Sequence, residues 1–330
     1  MDITTLKQTA QAMMVPPKGL LAADESTKTI TKRFDALGIE CTAESILAYR
    51  QMLFTTPGVE EFLSGIILFD ETIRQSIDGK SVCQYLESKG IIPGIKVDKG
   101  VHDLANFPNE KVAEGLDGLR DRLTEYKGMG AKFAKFRATI QIGEGIPTDT
   151  CIEANSEVLA RYAALCQEQD IVPVVEPEVL LDGDHTIEQC FEAQVRTLKM
   201  VFERIKAHKV ALEGMVLKPS MVLSGKDCPT QADSKKVAQM SVDALKQSVP
   251  PEVGGIAFLS GGQSDESAVA NLLEINKIGG PWPLTFSYSR GLQNAPMKIW
   301  AGKAENIKAA QEEFYKRCKA ASLARSGKLS

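Results

Sequence analysis

Short apolar runs alternate along this chain with longer stretches in which apolar residues recur every three or four positions. The runs are GLLAAD (19–24), GIILFD (65–70), GIKVD (94–98), KFAKFR (132–137), IVPVVE (171–176), GMVLK (214–218), GIAFLS (255–260) and LTFSYS (284–289). Apolar and often β-branched through their bodies, they predict buried strands. Stretches at 43–54, 81–88, 115–129, 156–169, 187–208, 233–248, 264–275 and 303–324 read as helices, several with the i, i+3, i+4 spacing of one buried face. A further helix at about 6–14 precedes the first strand. Strands that alternate with helices pair in parallel. Eight such units predict an α/β protein, a closed (β/α)8 barrel forming one domain over 1–330 with an extra N-terminal helix. A doubly wound sheet is the structural alternative, but no GxGxxG or GxxxxGK loop follows an early strand. No linker or short repeat divides the chain, and the polar end predicts a short frayed tail over 325–330.

Composition narrows the class of partner. The 330 residues are 43% hydrophobic and 25% charged, with a net charge of −4, so no general attraction to nucleic acid or anionic membrane is expected. An anionic ligand must be held by local cations. The first residues, MDITTLKQTAQAMM, lack the apolar core of a signal peptide, and runs such as GIILF are far too short to span a bilayer. The expectation is a soluble cytoplasmic protein. Seven scattered cysteines without a CxxC pair disfavour a disulfide framework or a zinc site. Three histidines without HxH or HxxxH spacing disfavour a histidine metal centre. The sequence Asp182, Gly183, Asp184, His185 reads as a polar turn capping the next helix.

Each predicted strand is apolar in its body and polar at its C-terminal end. The ends carry Asp24, Asp70, Lys96 with Asp98, Lys135 with Arg137, Glu176 with Glu178, Lys218, Ser260, and Ser287 with Arg290. In a barrel that end is where a site is assembled. Residues two apart share a face, so Lys135 and Arg137 point together, as do Glu176 and Glu178. Any one such charge reads equally well as part of a mutually neutralised, solvated rim or as part of a site. Lys96, Lys135, Arg137 and Lys218 converging on one mouth repel each other unless an anion enters.

Two chemistries fit. A strand-end lysine such as Lys218 becomes a nucleophile when its amine is neutral, and burial and nearby cations favour that form; Lys135 and Arg137 are candidates for the cations. A neutral amine attacks a ketone to give a Schiff base, which acts as an electron sink for breaking a carbon–carbon bond. A carboxylate must move the protons, Glu176 being the first candidate and Asp24 the second. For phosphate, Ser260, Gly261 and Gly262 open a helix after strand seven, and Arg290 follows strand eight, the common phosphate position in barrels. A second cationic site is drawn from Ser26, Thr29, Lys32, Arg33 and Lys96, although Lys32 and Arg33 also read as a solvated helix face.

The segments LLAADEST (20–27), LFDETIRQ (68–75), PGIKVDKGV (93–101), GLDGLRDR (115–122), FAKFR (133–137), IVPVVEPEVLLDGDH (171–185), LEGMVLKPSMV (212–222), FLSGGQS (258–264), LTFSYSRGLQ (284–293) and AAQEEFYKR (309–317) together resemble class I fructose-bisphosphate aldolase, the Schiff-base type that needs no metal. The resemblance implies reversible cleavage of fructose 1,6-bisphosphate to dihydroxyacetone phosphate and glyceraldehyde 3-phosphate in glycolysis and gluconeogenesis. It implies Lys218 as Schiff-base lysine, Glu176 as general acid/base with Glu178 beside it, and Asp24, Lys135 and Arg137 orienting hydroxyls and supporting proton transfer. Ser260, Gly261, Gly262, Ser287 and Arg290 are implied at the phosphate next to the ketone, and Arg33, Ser26 and Lys96 at the other phosphate. A homotetramer without cofactor, acting on small sugar phosphates, is implied as well.

Departures from the animal-type pattern are also present. That type ends in a tail with a terminal tyrosine that exchanges the enamine proton, whereas the last tyrosine here is Tyr315. The expectation is that an active-site carboxylate or a water protonates the enamine. Ser289 stands where glycine is usual, Ser220 where asparagine is usual, and Lys28 where glycine commonly follows DEST. Fructose 1-phosphate and sedoheptulose 1,7-bisphosphate remain open as rival substrates. A scaffold that has lost catalysis is disfavoured by the presence of Lys218, Glu176, Lys135 and Asp24, and a metal-dependent aldolase by the shortage of histidines.

Overall fold

A computed structural model of the chain describes residues 1–328. Eight parallel strands close into a TIM-barrel ring: β1 (Gly19–Ala23), β2 (Leu63–Leu68), β3 (Ile92–Lys96), β4 (Phe133–Ile140), β5 (Val172–Val179), β6 (Val216–Leu217), β7 (Ile256–Phe258) and β8 (Leu284–Tyr288). Each strand neighbours the next in sequence, and β1 pairs with β8 to shut the ring, Leu20 facing Ser287. The eight strands expected from the hydrophobic pattern are thus the eight of the barrel, with ends shifted by a few residues.

The helices are α1 (Ile3–Met13), α2 (Thr27–Asp35), α3 (Ala43–Phe54), α4 (Asp70–Ile73), α5 (Val82–Ser88), α6 (Leu119–Met129), α7 (Asp149–Glu168), α8 (Ile187–Ala207), α9 (Ser234–Ser248), α10 (Asp265–Ile278), α11 (Arg290–Trp300) and α12 (Ile307–Arg325). Three of these were not expected, α4 being a single turn of four residues. Helix α2 is short and polar, with only Ile30 and Phe34 buried. Helix α11 carries Pro296 in its interior, which reads as a breaker because proline lacks an N–H and clashes with the preceding turn. Helix α7 starts well before 156, where the Thr148 hydroxyl accepts from the Cys151 N–H. The turn at 182–185 precedes α8, but the cap itself is Thr186. Its hydroxyl accepts from the Gln189 N–H while the Gln189 side chain accepts from the Thr186 N–H.

Strand alternation sorts the barrel interior by depth. Leu20 and Ala22 of β1, Ile67 of β2, Phe133 of β4, Val172 and Val174 of β5, Val216 of β6 and Ala257 of β7 fill the inside, and Leu6, Ala10, Met13 and Met14 close its floor. Continuing the inward register by two residues in β1, β4, β5 and β6 reaches Asp24, Lys135, Glu176 and Lys218. The same alternation that packs the floor therefore delivers charge to the mouth. Outside the ring, a larger apolar layer packs the outer strand faces against the helices.

The last helix is fastened to the floor. Arg325, expected in a frayed tail, is the last residue of α12 and is buried. Its guanidinium donates to the carbonyls of Met14, Val15, Lys18 and Leu284. The last two residues of that expected tail, 329 and 330, lie outside the described residues. Tyr315 sits in α12 with its ring against Phe62. Among the described residues, no helix is long and apolar enough to cross a membrane.

Candidate active site

A cleft of about 490 Å³ opens at the C-terminal end of the barrel strands. It is lined by Asp24, Ser26, Arg33, Lys96, Lys135, Arg137, Glu176, Glu178, Lys218, Ser260, Gly261, Ser287 and Arg290. Of the strand-end and phosphate-site residues singled out from sequence, Gly262, Asp70 and Asp98 lie off this lining, and the glycine acts through its backbone. Its role is in the turn: φ is +76°, and a Cβ there would sit 2.8 Å from the Leu181 side chain. Asp70 starts α4, where its carboxylate accepts from Arg74 and from the Tyr126 hydroxyl, and it lines a neighbouring cavity rather than the cleft. That cavity, about 630 Å³, adjoins the cleft through Ser26, Thr29, Lys96 and Arg137, and Lys28 lies on its wall.

Lys218 follows β6 and is only 3% exposed. Its backbone N–H donates to the Val175 carbonyl, which extends the pairing with β5 and fixes the start of the side chain. Lys218 Nζ lies 3.0 Å from Glu176 Oε1, while Glu176 Oε2 lies 3.3 Å from Lys135 Nζ. Lys135 Nζ is 2.7 Å from Asp24 Oδ2 and 3.6 Å from Asp98 Oδ2. Lys96 pairs with the other oxygen of Asp98. The charges alternate in sign from Lys218 to Lys96, and few of them reach water.

These contacts set the ionisation. Burial alone would raise the Asp24 carboxyl, but Lys135 and Lys218 overcome it and bring it down to about 2. Burial likewise opposes the charged form of Lys135, yet Asp24, Glu176 and Asp98 hold its ammonium well above the usual lysine range. Lys96 is pushed the other way, by burial first and the Lys135 charge second, against the attraction of Asp98. Lys135 and Arg137, the candidates for the cations near Lys218, are both paired with carboxylates. Lys135 has its carboxylates, and Arg137 turns to Glu178 while its backbone N–H donates to Asp98 Oδ2.

On the β7–β8 side of the cleft, Ser260, Gly261, Ser287 and Arg290 line the wall from the ends of those strands. Ser287 Oγ is buried and has no hydrogen-bond partner among the described residues, so it offers a free donor. Arg33, grouped by resemblance with Ser26 and Lys96, lines the cleft with them and also reaches α11. It donates to Asn294 Oδ1 at 3.2 Å and pairs with Glu25. Glu25 also meets Arg50 Nη1 at 2.7 Å. Sequence reasoning missed Glu25 and Arg50. A signal for the second was available: Ile46, Tyr49, Arg50 and Leu53 follow i, i+3, i+4, i+7 in α3, so an arginine occupies the buried stripe.

The arrangement unites a buried lysine touching a carboxylate with a wall of hydroxyl, backbone and guanidinium donors for an anion. Among the described residues, no group of three or more His, Cys, Asp or Glu side chains is arranged to hold a metal ion. The seven cysteines are unpaired thiols, and only Cys41 is more than slightly exposed.

Comparison with known proteins shows the family. Residues 5–330 match the family model described as fructose-bisphosphate aldolase class-I. A probable fructose-bisphosphate aldolase class 1 of Xanthomonas campestris is 54% identical over 99% of both chains. The cytosolic fructose-bisphosphate aldolase 5 of Arabidopsis thaliana is 49% identical over 98% of this chain and 91% of its own. Among solved structures, fructose-bisphosphate aldolase from Plasmodium falciparum, crystallised with TRAP and a small-molecule inhibitor, superposes with a TM-score of 0.97. It is 45% identical, covering 99% of this chain and 95% of that one. The chain belongs to the class I fructose-bisphosphate aldolase family.

Proposed function

We propose that this cleft cleaves fructose 1,6-bisphosphate reversibly to dihydroxyacetone phosphate and glyceraldehyde 3-phosphate, with Lys218 as the Schiff-base lysine. The observation that carries the assignment is the 3.0 Å contact between the buried Lys218 Nζ and Glu176 Oε1. Glu176 takes a proton from the ammonium, and the free amine attacks the ketone carbon. The same carboxyl group returns a proton to the carbinolamine hydroxyl, which leaves as water to give the iminium. Glu176 then accepts the proton of the C4 hydroxyl as the C3–C4 bond breaks, and the bonding electrons pass to C3 to form the enamine. Protonation at C3 and hydrolysis release the second product and restore the amine.

Asp24 and Lys135 support this cycle by fixing the charge around Glu176. Glu178 holds Arg137 at the substrate hydroxyls. Ser260, Gly261, Ser287 and Arg290 take the phosphate beside the ketone, and the turn at Gly262 aims them. Ser26 and Lys96 take the other phosphate.

Borohydride trapping tests the central step. With dihydroxyacetone phosphate present, reduction yields a stable secondary amine on Lys218, located by peptide mass spectrometry. Folded protein that cleaves the sugar but carries no adduct there overturns the assignment of the nucleophile. The reading also requires that activity survive EDTA. A homotetramer is part of the proposal, checked by light scattering, as is a single domain, checked by one cooperative unfolding transition. A cytoplasmic location is supported by the cytosolic Arabidopsis relative and checked by cell fractionation.

A further inference from the structure

A chain of hydrogen bonds with one possible direction runs from the outer helix layer to the edge of the cleft. Gln293 is fully buried in α11. Its Nε2 lies 2.7 Å from the Ala22 carbonyl, which can only accept, so the amide's orientation is fixed. Its Oε1 accordingly accepts from the Tyr49 hydroxyl at 3.0 Å, and Nε2 also donates to Ser289 Oγ at 3.1 Å. With its oxygen engaged as an acceptor, the Ser289 hydroxyl directs its single proton to Glu25 Oε1, 2.8 Å away. That same carboxylate oxygen pairs with Arg33, and the other pairs with Arg50.

Glu25, Arg33 and Arg50 together carry one surplus positive charge. The two guanidiniums differ in freedom: the Arg50 side chain is 1% exposed, whereas that of Arg33 is 15% exposed and lines the cleft. Arg33 is the one able to turn to an incoming anion. In doing so it withdraws a charged partner from a buried carboxylate, which is costly unless another donor remains.

We propose that Ser289 is a positioning residue for phosphate binding, its hydroxyl keeping the Glu25 carboxylate satisfied while Arg33 releases it to grip the phosphate beside Arg290. This rests on reading the cleft as a sugar-phosphate site. Ser289 does not itself donate to the phosphate, because its proton is committed to Glu25.

The test uses inorganic phosphate as the probe and isothermal titration calorimetry as the readout. Ser289→Ala weakens phosphate binding by about tenfold, the effect of one hydrogen bond to a charged group. Ser289→Thr, which keeps the hydroxyl, restores it. In an Arg33→Ala background, removing the Ser289 hydroxyl changes the affinity less than about twofold, because the two act through one carboxylate. In steady-state kinetics the same loss appears in KM for fructose 1,6-bisphosphate, with kcat changed far less. Equal phosphate affinity of wild type and Ser289→Ala overturns the proposal. So does a full effect of Ser289→Ala in the Arg33→Ala background, or a wild-type chain that binds no phosphate. A wild-type chain that binds phosphate but does not cleave the sugar overturns the catalytic reading alone.

Discussion

Glu176 bridges two lysines, one oxygen 3.0 Å from Lys218 Nζ and the other 3.3 Å from Lys135 Nζ. A carboxylate so placed exchanges a proton with the first lysine while the second keeps its charge compensated. Glu176→Gln preserves the shape and removes the proton carrier. We expect kcat to fall by about 10²–10⁴-fold, with slower borohydride trapping that still maps to Lys218. Full activity of the variant would remove Glu176 from the mechanism.

Lys135 is the common partner of Asp24, Asp98 and Glu176. Lys135→Met leaves that buried carboxylate cluster without its central cation. The expected loss of stability is about 3–5 kcal/mol at neutral pH, read by urea unfolding. The deficit should narrow as pH falls below about 5 and the carboxylates take up protons. A deficit that stays constant with pH would assign the loss to packing.

Asp24 gives the acid limb of stability. Its folded value of about 2 lies below the ordinary 3.8, so its ion pairs stabilise the fold fully above about pH 4. That contribution, about 2 kcal/mol, is lost as pH falls from about 4 through about 2. Asp98 and Glu25 shift in the same direction, burial opposing and the neighbouring cations prevailing. Asp24→Asn should flatten the fall in stability between about pH 4 and about pH 2 relative to wild type. An unchanged slope would mean that Lys135 holds Asp24 no more tightly than water does.

Gly261 is placed where a side chain has no room. A Cβ there would lie 2.5 Å from Glu178 Oε1 and 2.8 Å from Leu259 Cδ1. Gly261→Ala should push Glu178, and with it the paired Arg137, out of position. We expect kcat/KM to fall by about tenfold or more, since small displacements of positioning groups are costly in rate. Crystallography of the variant should show the Glu178 carboxylate moved, and an unmoved carboxylate would break the link.

Arg325 is buried against backbone carbonyls, and burial brings its guanidinium down to about 10. Arg325→Met removes donors from the carbonyls of Met14, Val15, Lys18 and Leu284. The expected cost is about 3 kcal/mol, read as a lower Tm, with the Lys218 adduct still formed. A Tm equal to wild type would show that water replaces the guanidinium at no cost.

Much of this arrangement was legible in the chain because barrel strands announce themselves twice. The apolar body of each run gives the strand, and the polar residue two positions beyond the last inward apolar one gives the site, as in Val216 and Lys218 or Phe133 and Lys135. Helix α3 was read at its full length because its apolar stripe is regular and Thr42 caps it. Helices α2, α4 and α11 escaped because the first is too polar for a stripe, the second is only four residues long and the third contains Pro296. The pairing of cations was less legible than their presence. Spacing says that Lys135 and Arg137 share a face. It does not say that one is ringed by Asp24, Asp98 and Glu176 while the other turns to Glu178, because those partners arrive from other strands. Glu25 with Arg50 was hidden for the same reason, as their meeting depends on how α3 lies against the end of β1.

The bond between β1 and β8, together with the grip of Arg325 on residues 14–18, has a consequence for how the protein is made. The first strand leaves the ribosome with one edge unpaired, and its partner β8 is translated only after the six strands between them. Floor and ring are therefore completed only once β8 and α12 are free. Until then the nascent chain carries an open sheet edge, and the cell must shield that edge or outpace its aggregation.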